Sequence, residues 1–179
     1  MAAVTTRYAR AFAEVVLDHR IDPNAATQEL NTMSELVKSS PELRNVMQNP
    51  AVPHPQKLKL LDALIARTGG SKILRNFIAV LIDHHRVGQM DEIARQFKQE
   101  LNQRLGIAET QVSSARELMP EEKQSLEKQM AAITGKVVHA TYSQDAGLLG
   151  GAIVRIGSTI YDGSVRGQLQ RIKQQIASA

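Results

Sequence analysis

No cysteine occurs in the 179 residues, which excludes disulfides, thiolate metal sites and cysteine nucleophiles. Aromatic residues are nearly as scarce, at 3% against a hydrophobic share of 42%. The core therefore has to rest on Leu, Ile, Val, Ala and Met, an economy that suits closely approached helices. No apolar run reaches the roughly 18 residues a membrane span needs, and the N-terminus lacks the apolar core of a signal peptide. The expectation is a soluble chain without an export signal. A concentrated run of one charge sign is missing too. The net charge is +4, yet residues 1–105 carry 14 basic and 11 acidic residues and the remainder 8 and 7. That thin spread reads as a solvated mixed surface rather than a nucleic-acid stripe.

What is present first is a series of punctuated helices. Thr5 or Thr6 is placed to cap a helix with Tyr8, Phe12, Val15 and Val16 on one face. Asp22-Pro23 and Ser40-Pro41 each pair an N-cap with a proline at the first helical position, where its missing N–H costs nothing. The helix after Asp22 aligns Ala26, Leu30, Met33 and Val37, and Asn49-Pro50 ends the short one after Ser40. Leu58, Leu61, Leu64 and Ile65 make a fourth helix stopped by Gly69-Gly70. Ser71 caps a fifth that runs toward Gly88, and its segment from Ile73 to Ile82 is apolar around most of its circumference. Such a helix is buried on more than one side, or offers a groove to an incoming helix. Met90, Ile93, Phe97, Leu101 and Leu105 define a sixth, stopped by Gly106.

After Gly106 the period changes. Ala108, Thr110, Val112 and Ser114 alternate with polar neighbours, a half-buried strand. Pro120-Glu121-Glu122 opens a helix with Leu126, Met130 and Ile133 facing inward, and Gly135 closes it. Val137 to Tyr142, residues 151–157 and Thr159 to Asp162 read as further strands. Ser164 then caps a last helix whose stripe is Val165, Leu169, Ile172 and Ile176. The fold class expected is α+β: a six-helix bundle over 1–105, then a small α+β domain over 106–179.

Few groups here promise chemistry. Gly147 through Gly151 resembles a phosphate loop, but no Lys-Ser/Thr follows and the next residues read as a strand. Glycines that allow close backbone approach are the better account. His84 and His85 are adjacent on a helix and point about 100° apart, which suits a polar helix end better than a shared metal. His19, His54 and His139 stand apart, and Glu121-Glu122 fits a helix start better than an acid/base pair. Arg155, inside an apolar strand, is either an outward-facing residue or a contact to another chain.

Two segments carry a family resemblance: Arg7-Tyr8-Ala9-Arg10-Ala11-Phe12, and Leu149-Gly150-Gly151-Ala152-Ile153-Val154-Arg155-Ile156-Gly157 continued by Ile160-Tyr161-Asp162-Gly163-Ser164-Val165. With them the chain resembles the delta subunit of F-type ATP synthase, bacterial relative of the oligomycin-sensitivity-conferring protein. Asp145-Ala146-Gly147-Leu148 carries more spacing before the paired glycines than the family often has. The resemblance implies a stator subunit with no catalytic residue, cofactor or metal, linking the alpha/beta head to the b-subunit peripheral stalk so that rotary proton flow drives ATP synthesis. It implies a groove for the alpha N-terminal helix at Tyr8, Phe12, Phe77, Ile78 and Leu81. It implies a stalk contact for the b (or b′) subunits at Arg155, Arg166, Leu169 and Ile172. Gly150, Gly151, Gly157, Asp162 and Ser164 are expected to be structural. No nucleic acid is implied, and membrane association is indirect, at the cytoplasmic face of a bacterial inner membrane.

Overall fold

Side-chain caps set three helix starts of the first half in the computed structural model, which describes residues 2–169. Helices α1 (Ala2–Asp18), α2 (Pro23–Ser39), α3 (Pro41–Gln48), α4 (His54–Thr68), α5 (Lys72–Asp83) and α6 (Met90–Arg104) follow in order, with a 3-10 turn at Val87–Gln89. Asp22 accepts the N–H of Asn24 at 3.0 Å, and Ser40 and Ser71 accept those of Leu43 and Leu74 at 3.2 Å. Each satisfies an amide that the first helical turn leaves unpaired. The buried face of α2 includes Ala26, Leu30, Met33 and Val37, as the spacing predicts.

Two helix ends depart from expectation. Thr5 and Thr6 do not cap α1, which already starts at Ala2. Alanine favours helix strongly enough to carry it upstream, and the hydroxyl of Thr6 instead donates 2.8 Å to Gln96 on α6. Helix α5 stops at Asp83, before Gly88 is reached. His85 takes a left-handed φ of 54°, and the Arg86 N–H reaches back to the Leu81 carbonyl at 2.7 Å. This is a Schellman closure made with histidine in the glycine position, at a conformational cost of about 1–2 kcal/mol. Gly88 lies in the 3-10 turn, where a side chain would displace the mobile end of Gln48.

The described residues divide into two compact units after Leu101. The core of the first is aliphatic except at one point. All three phenylalanines of the chain meet there, with the Phe12 ring 4.2 Å from Phe77 and 4.7 Å from Phe97 between centroids. Tyr8 packs near His84 while Phe12 stacks on Phe77, so α1 and α5 run antiparallel.

The second unit holds β1 (Ile107–Ser114), α7 (Pro120–Thr134), β2 (Val137–Gln144), β3 (Ala152–Ile156) and β4 (Thr159–Asp162), and residues 165–169 are helical. The sheet order is β2-β1-β3-β4, with β1 parallel to β2 and the other pairs antiparallel. A parallel pair needs a crossover, and α7 supplies it. Ala108, Thr110, Val112 and Ser114 are the buried residues of β1, and Val112 packs with Met130 and Val154. Ile133 does not face inward with Met130: it is 60% exposed, on the last turn of α7. The α+β reading is borne out.

Candidate functional site

Helix α5 carries two apolar stripes one residue out of phase. Leu74, Ile78, Leu81 and Ile82 enter the core at 2% exposure or less. Ile73, Phe77 and Val80, at i, i+4 and i+7, face a groove shared with Tyr8, Ala11, Phe12 and Val15 of α1. The groove has a volume of about 450 Å³, and Arg7, His19 and Asn76 complete its lining. Val15 and Val80 remain 38% and 42% exposed in it, so apolar surface is left without a partner at both walls.

Of the residues expected here, Tyr8, Phe12 and Phe77 come together. Ile78 and Leu81 do not line the groove; about 100° per residue separates them from the Phe77 stripe and turns them into the core. Val15, Ile73 and Val80 take their place. Spacing reveals both stripes of α5, but which one turns inward depends on where the other helices lie.

The glycine signature forms a latch between β3 and the start of the last helix. Gly151 has φ +79°, and a Cβ there would meet the Gly163 carbonyl oxygen and lie 3.0 Å from the Ser164 Cα. Gly150 brings its backbone against Val165, whose N–H donates to the Gly150 carbonyl at 3.0 Å. The Asp162 carboxylate accepts the Ser164 N–H at 2.8 Å, and the Ser164 hydroxyl accepts that of Gly167 at 3.0 Å. Ser164 is therefore a buried helix cap. Gly157 opens the turn between β3 and β4 with φ +58° and no close neighbour. Because Gly147 to Gly151 lead into a strand, no helix N-terminus follows them to receive a phosphate.

Arg155 pairs with Gln111 and Ile160 across the sheet and lies on the face opposite Val154, exposed. Arg166 and Leu169 are exposed on the first turn of the last helix; Ile172 lies outside the described residues. A second hollow, of about 660 Å³, is lined by Leu118, Leu126, Leu148 and Leu149 together with Arg116, Glu122 and the paired glycines. Leu149 at its edge is 76% exposed, and sequence reasoning did not single it out for contact.

The polar rim of that hollow is an ion pair. Arg116 donates to both oxygens of Glu122, at 2.9 and 2.5 Å, and the Met119 N–H donates to the same carboxylate at 2.9 Å. The Arg116 guanidinium first, and the Met119 amide second, hold the Glu122 carboxyl below its ordinary range. A depressed carboxyl stabilises the fold above its unfolded-state pKa and loses that contribution as pH falls through the folded value. Glu122→Gln is thus expected to lower stability at neutral pH and to match the wild type once Glu122 is protonated. Denaturant melts across the acid range check this; a difference constant with pH would overturn it.

The histidines have local roles. His54, at the start of α4, lies 2.9 Å from Asp83 at the end of α5 without hydrogen-bond alignment. His19 meets the Val15 carbonyl at 3.0 Å. No helix among the described residues is long and apolar enough to cross a membrane.

Comparison with known proteins gives a consistent family. The family model for the ATP synthase delta (OSCP) subunit matches residues 4–176. The ATP synthase subunit delta of Koribacter versatilis is 48% identical over 179 residues, covering 100% of both chains. That of Acidobacterium capsulatum is 40% identical over 177 residues, 99% of each. Among solved structures, a chain of the Toxoplasma gondii mitochondrial ATP synthase hexamer has the same fold, with a TM-score of 0.63, 18% identity and 97% of each chain covered.

Proposed function

The chain belongs to the ATP synthase delta (OSCP) subunit family and is a component of the peripheral stalk of F-type ATP synthase, and from that premise we propose how it holds the complex together. It acts as a non-catalytic adaptor. The first unit grips the catalytic head by taking the N-terminal helix of an alpha subunit into the groove between α1 and α5. The second unit grips the b subunits of the stalk through Arg155, Arg166, Leu169 and Ile172. Held at both ends, the head cannot turn with the rotor, and proton flow is coupled to ATP synthesis. The protein then sits peripherally at the cytoplasmic face of a bacterial inner membrane, tied to it through the stalk.

One observation carries the reading: an apolar groove between two antiparallel helices, with Val15 and Val80 left exposed in it. An amphipathic helix laid into such a groove buries both walls at once. A tether under rotary load needs slow dissociation, which comes from buried anchors rather than from a reactive group. The second unit offers apolar side chains of the same kind, with Leu169 at 54% and Val165 at 42% exposure beside the latch.

Leu169→Asp tests the stalk end. Loss of an exposed apolar anchor is expected to weaken binding of the b subunits about tenfold. Retention of alpha in the same pull-down should not change. Undiminished recovery of b would overturn the assignment of this face.

A further inference from the structure

We propose that Arg7 is the specificity contact of the α1–α5 groove, selecting a docking helix that carries a carboxylate beside its apolar stripe at the end where Tyr8 meets His84. The inference rests on the reading that the groove receives a helix, and adds what that helix must carry.

The groove is neutral along nearly all its length. Tyr8, Phe12, Val15, Ile73, Phe77 and Val80 supply apolar contact, and no carboxylate lines it. Arg7 stands at one end and His19 at the other. The neighbouring charges have other groups close to them. Arg10, nearly one turn along α1, lies 3.4 Å from Glu100 of α6, and Asp83 at the end of α5 lies 2.9 Å from His54. Arg7 has no carboxylate partner among the described residues; its guanidinium rests 5.9 Å from the centre of the Tyr8 ring. A guanidinium held beside an aromatic ring at that distance keeps its forked donors free for a carboxylate.

Such a group supplies what the apolar walls lack. A helix lying on alanine, valine and phenylalanine gains affinity from burial, but a shift by one turn still presents apolar surface to the groove. One charge at one end makes registers and directions unequal, because only one of them pairs it. The pair lies at the rim, where it adds modest affinity and a clear dependence on salt.

The test titrates the full chain with a synthetic peptide spanning the N-terminal helix of the alpha subunit encoded by the same genome, at low and at high salt. Arg7→Gln is expected to weaken binding about three- to fivefold at low salt and to flatten the salt dependence. Replacing the peptide's Asp and Glu residues in turn by Asn and Gln should expose one whose loss matters to the wild type and not to Arg7→Gln. Val80→Asp, run alongside, reports on the groove itself. If Val80→Asp abolishes binding while Arg7→Gln matches the wild type at both salts, the groove stands and the role of Arg7 is overturned. Binding that survives Val80→Asp removes the groove reading, and with it the premise for Arg7. Equal thermal melts of the variants confirm that docking, not folding, is being read.

Discussion

Gly151→Ala is expected to destabilise the C-terminal unit by on the order of 3 kcal/mol, through two costs that act together. The first is conformational: φ is +79°, a region an alanine enters at a cost of about 1–2 kcal/mol. The second is steric, since the new methyl would press on the Gly163 carbonyl and approach the Ser164 Cα to 3.0 Å. Both neighbours are backbone and cannot rotate aside. Relief therefore requires the latch to open, which strains the Gly163–Ala152 and Val165–Gly150 hydrogen bonds, at 3.1 and 3.0 Å. Native-state hydrogen exchange checks it: amides 163, 165 and 167 should exchange about a hundredfold faster if their protection comes from opening this unit. Gly157→Ala separates the two costs. Its φ of +58° is similar, but a Cβ there meets nothing within 4 Å, so a smaller loss is expected. Equal losses from the two variants would show that close approach contributes nothing.

Legibility in the sequence followed how local the cause was. Caps and stops act within one turn, so Asp22, Ser40 and Ser71 were readable, as were the left-handed glycines 69, 106 and 135. The alternation of β1 was readable because a period of two commits every second residue to one face. Thr5 and Thr6 misled because a hydroxyl near a helix start can cap or can pack, and Gln96, ninety residues from Thr6, decided it. The end of α5 misled because His85 performs the turn that glycine usually performs. In the groove, composition announced that α5 had surface to spare, but its two stripes are related by a rotation that helical periodicity cannot resolve. Ile78 and Leu81 belong to the inner stripe, Phe77 and Val80 to the outer one. The latch is the opposite case. Its glycines were recognisable as a signature, and the reason for them, a carbonyl of Gly163 where a side chain would stand, is a tertiary contact.

That distinction between stripes leads to the second large effect. Val80→Asp is expected to weaken docking of the alpha N-terminal helix about thirtyfold, the loss of about 2 kcal/mol that an interface anchor carries. Val80 lines the groove and is 42% exposed, so a carboxylate there stays hydrated in the free protein and costs the fold within about 0.5 kcal/mol. On docking, the same carboxylate would be desolvated against an apolar helix face. Phe77→Asp abolishes docking as well, but for mixed reasons: Phe77 stacks on Phe12 at 4.2 Å and is packed against the bundle core, so its loss also loosens the fold. Ile78→Asp is the informative contrast. At 2% exposure it places a charge in the core and should unfold the unit rather than act on binding alone. Calorimetric titration with the alpha peptide, beside a thermal melt of each variant, separates the three. Binding lost with the melt intact at Val80, and melt lost at Ile78, is the pattern expected of an outer docking stripe laid over an inner structural one. Full peptide affinity in Val80→Asp would mean that the helix docks elsewhere.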